Sequence, residues 1–180
     1  MTPRRTTWLV LGCLLLVAAA RARGAGPGVI VTPVAVGGQL LVSFDLNEGL
    51  SPELREAIRS GLPTALSYDI ELRRSAAWFD QTIARVTLDA RVRFDNLSRQ
   101  YALSRTVNGQ AQPSGATEDE ETMRRWMCHV ERLPIASTAS LETHRSYYVR
   151  IRVDARPRTR WIAWPWDGQA LGHAAVTFVP

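Results

Sequence analysis

From Ala84 to Phe94 apolar and polar residues alternate without a break. Ala84, Val86, Leu88, Ala90, Val92 and Phe94 fall on one side, and Arg85, Thr87, Asp89, Arg91 and Arg93 on the other. Side chains of an extended chain change sides at every residue, so this spacing predicts a strand with one buried and one wetted face. The period recurs in Leu40, Val42, Phe44 and Leu46 against Ser43 and Asp45, and in Tyr68, Ile70 and Leu72 against Asp69, Glu71 and Arg73. It returns in Tyr147, Val149, Ile151, Val153 and Ala155, which alternate with Tyr148, Arg150, Arg152, Asp154 and Arg156 to give a strongly basic outer face. Val29 to Val36, the Tyr101, Leu103, Val107 run and the closing Ala174, Val176, Phe178 run bring the expected strands to seven.

Turn chemistry fits between them. Gly37-Gly38-Gln39 is a hairpin connection, Trp78-Phe79-Asp80 a turn region before the central strand, and Asp95-Asn96-Leu97-Ser98 a turn after it. Asn96 belongs to an Asn-Leu-Ser sequon that reads as turn chemistry, and Asn108-Gly109 ends the fifth strand. Residues 110 to 116 read as a loop.

Two segments change to a helical period. Ser51 can cap a helix that begins at Pro52, carries Leu54, Ala57 and Ile58 on one side and stops at Gly61. A second begins at Thr117, where Thr-Glu-Asp-Glu fits a capping box with Glu120 reaching back, and Met123, Trp126, Met127 and Val130 form the apolar side. Glu120 to Arg124 and Glu121 to Arg125 are its expected ion pairs. The expected fold is mainly β: an antiparallel β-sandwich of about seven strands with two short helices at its edges, over about 51–60 and 118–131.

The start of the chain follows a different rule. Arg4 and Arg5 precede an apolar run from Trp8 to Ala20, and Ala20-Arg21-Ala22 is a small-residue cleavage pattern. A run of about 13 residues is short of the roughly 20 needed to span a bilayer, so residues 1–22 read as an export signal, with an uncleaved inner-membrane anchor as the alternative. Residues 23–38 follow as a flexible Gly/Pro leader and first strand, and 39–180 as a single β-sandwich domain. Removing the signal takes Arg4, Arg5 and Arg21 with it. It leaves 19 Arg against 17 acidic residues, an ordinary balance rather than a nucleic-acid signature. Cys128 is then the only thiol, which rules out an internal disulfide.

Several stretches together resemble a known family. Leu40-Leu41-Val42-Ser43-Phe44-Asp45-Leu46 precedes a capped helix ending in Ser60-Gly61-Leu62-Pro63. Tyr68-Asp69-Ile70-Glu71-Leu72 with Trp78 and Asp80 follows, then Phe94-Asp95-Asn96-Leu97-Ser98-Arg99-Gln100-Tyr101. This order, from about Gln39 onward, resembles exported proteobacterial proteins grouped as domain of unknown function 4390. The resemblance implies an exported, periplasmic bacterial protein, and it brings no catalytic residues to carry across.

The chemistry-bearing residues are sparse. His129, His144 and His173 are too scattered for metal-ligand spacing, so no metal or other cofactor is expected. Cys128 stands beside His129, but neighbours on a helix point about 100 degrees apart, which argues for a buried Cys over a nucleophile and base. The best candidate contact surface is the basic, aromatic end: Arg150, Arg152, Arg158, Arg160, Trp161, Trp164 and Trp166. Arginine with indole suits anionic headgroups, while the plainer alternative has the Trp residues plugging the sandwich and the Arg residues solvated. The expected function is a non-catalytic periplasmic interaction module acting on an envelope protein or an anionic membrane surface, with no nucleic-acid partner. The alternatives are an envelope-acting hydrolase or transferase using Asp80, Asp95 and Asp167, and an apolar-ligand carrier.

Overall fold

A computed structural model describes residues 28–47, 49–76, 78–157 and 170–176. Within them the chain runs β1 (Val29–Val36), β2 (Gln39–Leu46), α1 (Pro52–Arg59), β3 (Thr64–Arg74), β4 (Gln81–Asp95) and β5 (Gln100–Val107). It continues through β6 (Gln110–Ala111), β7 (Gly115–Thr117), α2 (Glu120–Cys128), β8 (His129–Ser137), β9 (Tyr147–Pro157) and β10 (Ala170–Val176). The strands form two antiparallel sheets, a small one in the order β1-β2-β8 and a large one in the order β10-β9-β3-β4-β5-β6, with β7 also on β5.

The dry sides meet as the alternation requires. Leu40, Val42 and Phe44 of β2 face Leu66, Tyr68, Ile70 and Leu72 of β3, Val86, Leu88, Ala90 and Val92 of β4, and Val149, Ile151 and Val153 of β9, all buried in one core. Phe44 and Tyr68 join the two sheets directly, with ring centroids 5.0 Å apart at a tilt of 48°, a favourable aromatic arrangement. Met123 and Met127 of α2 and Ile58 of α1 complete the core at its margins.

Local chemistry sets the connections. Gly37 and Gly38, at φ 59° and 75°, form the two-residue turn between β1 and β2, where both central residues need the left-handed region. This fixes the hydrogen-bond phase of the hairpin. Gly28 bonds Asn47 through its carbonyl (2.9 Å), so the even-numbered residues of β1 face β2 with their amides and the odd-numbered ones face away. Pro33 falls on the outward set, where its missing N–H loses no ladder bond. In α1, Ser51 accepts from the Leu54 amide and Pro52 opens the helix. Gly61 at φ 82° ends it, its amide bonding Ile58 O while Leu62 N bonds Ala57 O, the paired closure of a left-handed C-cap.

Four expectations fail between residues 110 and 137. Residues 110 to 116 are not a plain loop, because β6 and β7 add two short rungs to the β5 edge. Thr117 pairs with Tyr101 in the sheet, so it is unavailable as a helix cap. Asp119 caps instead, accepting from Thr122 N at 2.8 Å. Glu120 then reaches Arg59 of α1 at 2.8 Å rather than Arg124, and Glu121 holds Arg124 at i,i+3 rather than Arg125. The helix expected over 118–131 stops at Cys128, and His129–Ser137 is β8, the third strand of the small sheet, which brings the described strands to ten rather than seven.

Candidate binding surfaces

β3 and β4 meet at a loop whose base is firmly held. Ser75 N bonds Ser146 O (3.1 Å) and Arg73 Nη2 bonds Asp80 O (3.0 Å). The Asp80 carboxylate accepts from Tyr148 Oη (2.5 Å) and, more weakly, from Ala76 N (3.5 Å). The Tyr148 hydroxyl is the main reason the Asp80 carboxyl lies below its ordinary range. On this base Trp78 and Phe79 stand 89% and 88% exposed. Large aromatics seldom face water so fully, and their contiguity at a tip held by four bonds is a recognised mark of a contact site. Nothing in their sequence pattern beyond the turn itself singled them out.

The outer face of the large sheet is less basic than its sequence. Glu71 is buried on that face at 7% exposure and is gripped by Arg150 at 2.5 Å, with Arg73 4.0 Å away. Arg73 in turn stacks 6.0 Å from the Tyr148 ring centroid. Asp69 holds Arg85 through two bonds of 2.7 Å, and Asp89 holds Arg91 at 3.0 Å. Of the expected contact residues, Arg150 is therefore committed to an internal pair, and Arg152 lies half-buried opposite Asp69 in the β3–β9 ladder. Arg158, Arg160, Trp161, Trp164 and Trp166 lie outside the described residues, as does Asp167.

A groove of about 430 Å³ lies further along this face, between β3, β4, β5 and the segment leading into β7. It is bordered by Arg91, Arg93 and Ser104 and floored by Ala65 and Ala102.

The remaining reactive groups are tied up. Cys128 is 1% exposed, and burial pushes its thiol up to about 12, far from a thiolate at neutral pH. His129 has both ring nitrogens engaged, Nδ1 with Asp45 (2.9 Å) and Nε2 with Glu131 (3.0 Å), and has no spare nitrogen for a neighbour. Asp95 accepts from Leu97 N (2.8 Å) and Ser98 N (3.4 Å) as a turn cap, at the opposite end of β4 from Asp80, so the two carboxylates do not converge. Among the described residues no three His, Cys, Asp or Glu side chains gather as metal ligands, and no helix is long and apolar enough to cross a membrane.

Comparison with curated proteins and with solved structures finds no match. The family model for a domain of unknown function, DUF4390, matches residues 31–158, which run from β1 through the end of β9 and include the loop tip, the Glu71 cluster and the groove; the chain belongs to that family.

Proposed function

We propose that this is a non-catalytic binding module of the bacterial cell envelope, exported through its N-terminal signal, which docks an envelope protein through the β3–β4 loop tip. The observation that carries the reading is the pair Trp78 and Phe79, 89% and 88% exposed on a loop whose base is fixed. Aromatic side chains supply large contact area with few rotatable bonds, and a held loop loses little freedom on binding. A protein partner fits better than an anionic membrane. The arginines around the tip stand among carboxylates, Arg74 and Arg145 beside Glu142, Arg73 and Arg150 beside Glu71, with the Asp80 carboxylate close by, so little net positive charge is left to draw in a headgroup layer.

A photo-crosslinking residue in place of Phe79, with one in place of Leu97 as control, tests this in cells of the native host. Leu97 is 96% exposed at the other end of β4 and matches Phe79 in accessibility. The expected result is a discrete protein adduct at 79, weakened by Trp78→Ala, and none at 97. Equal labelling at both positions refutes the reading. Salt-sensitive sedimentation of the purified chain with anionic liposomes, lost in Trp78→Ala, assigns the tip to a membrane surface instead.

A further inference from the structure

The groove on the outward face of the large sheet is well removed from the Trp78 tip, and its composition is of another kind. Arg91 and Arg93 are two residues apart on β4, so their side chains leave the same face about 7 Å apart. Their cross-strand neighbours are short: Arg91 lies between Ala65 and Ser104, and Arg93 opposite Ala102. A long guanidinium flanked by alanine and serine stands over open space, and this is how a flat antiparallel face comes to hold a groove of about 430 Å³. That volume is within the range of small-ligand sites, roughly 300–1,000 Å³.

The charges in the groove are not balanced. Arg91 shares Asp89 at 3.0 Å, and Asp89 also accepts from Ser67 (2.7 Å) and Thr106 (3.5 Å). Arg93 makes no hydrogen bond or ion pair with any described residue, and its influence on Asp95 is through space only. Arg93 contrasts here with Arg73, Arg85 and Arg150, each of which is matched to a carboxylate on the same face. Ser104 and Ser114 add hydroxyl donors at the groove wall, while Ala65, Ala102 and Pro63 give it an apolar floor.

We propose that this groove binds a small organic anion, with a carboxylate or phosphate held by Arg93 and Arg91 and the apolar body laid on Ala65 and Ala102. A guanidinium presents a fork of donors matched to such oxyanions. Sheet strands set the fork's position, and the flanking short residues provide the room.

The test is a titration of the isotopically labelled chain with benzoate, phenyl phosphate and uncharged benzyl alcohol at matched ionic strength, followed by amide NMR. Saturable shifts confined to residues 64–65, 91–93 and 102–104 are expected for at least one of the two anions and not for the alcohol. Whichever of the two saturates identifies the headgroup. Arg93→Gln is expected to weaken the binding at least tenfold, with the rest of the spectrum unchanged, while Trp78→Ala leaves it intact. Shifts that never saturate, or that saturate equally in Arg93→Gln, overturn the assignment whatever becomes of the loop tip.

Discussion

The hydroxyl of Tyr68 donates to the carbonyl of Met127 at 2.7 Å, both groups buried, and so ties the middle of β3 to the last turn of α2. Helix carbonyls at this end have no partner within the helix and must find one elsewhere. Arg105, reaching over from β5, serves the same end by bonding Trp126 O and His129 O while its guanidinium lies 4.5 Å from the Trp126 ring centroid. Tyr68→Phe keeps the ring against Phe44 and removes only the hydroxyl. Leaving the carbonyl unsatisfied is expected to cost about 1–2 kcal/mol, read as a lower urea midpoint at unchanged slope. An unchanged midpoint shows that the bond contributes nothing.

Glu71 distinguishes a structural Arg150 from a contact Arg150. Its carboxylate sits between Arg150 and Arg73, and both guanidiniums carry a buried Nε without a hydrogen-bond partner. Glu71→Gln leaves two positive groups uncompensated at low exposure, so about 3 kcal/mol of stability is expected to go. Replacing Glu71 and Arg150 together by Met is expected to recover most of that loss. If Arg150→Met alone leaves the melting temperature unchanged, the pair is not structural.

The loop tip carries the opposite expectation for stability. Trp78 and Phe79 contribute almost no buried surface, so alanine at both positions is expected to shift unfolding free energy by no more than about 0.5 kcal/mol. Phe44→Ala, by contrast, opens the contact with Tyr68 and is expected to cost about 3–5 kcal/mol. A large loss at the tip means that these rings pack on something in the folded chain, and it removes the basis for the docking surface.

Where the sequence was readable and where it was not has a physical pattern. β4 from Ala84 onward and β2 keep strict alternation because the extra residues in their ladders fall elsewhere, at Ile83 before the run and on β8 rather than β2, and α1 announces itself through Ser51, Pro52 and Gly61. β8 escaped for three reasons. Val130 continues the Met123, Trp126, Met127 stripe at helical spacing, so the pattern runs smoothly past the true end at Cys128. The strand itself is bulged: Val42 faces Leu133 and Phe44 faces Val130, so Glu131 and Arg132 stand against Ser43 alone. Arg132 takes φ 51° there and its amide bonds Ser43 Oγ at 3.0 Å. An extra residue turns a period of two into a spacing of three and then two, which no alternation template matches. Pro134 also weakens the strand signal. The same limit applies to charge: the alternation shows Arg150 on the outer face, but only the β3–β9 register shows Glu71 beside it.

Burial of Cys128 gives a reactivity prediction. With its thiol raised to about 12 and 1% exposed, it is expected to resist alkylation by iodoacetamide in the folded chain and to react fully in denaturant, in a chain carrying Cys13→Ser so that one thiol is counted. Rapid labelling under native conditions means that the α2 C-terminus opens readily, and the Tyr68 and Arg105 contacts do not hold it.

His129 closes α2 and begins β8, opposite Asp45 in the β2–β8 ladder. Its imidazole is raised above the ordinary value of 6.5 mainly by the hydrogen bond to Glu131, with Asp45 adding to it against some desolvation. Its place at the helix C-terminus also favours the charged form, while Arg105, which bonds its carbonyl, and Arg124, close enough to feel Asp45, are the cations nearby. A group whose folded pKa exceeds its unfolded one binds its proton more tightly when folded. Its stabilisation is therefore complete below the unfolded value and fades as pH rises through the folded one. The natural chain is thus expected to lose stability relative to His129→Gln as pH rises from below 6.5 through the raised folded value, measured as the difference in unfolding free energy at each pH. Because the pair is largely exposed, the difference is expected to shrink in high salt. A difference that grows with pH reverses the sign and shows that His129 folds as the neutral imidazole.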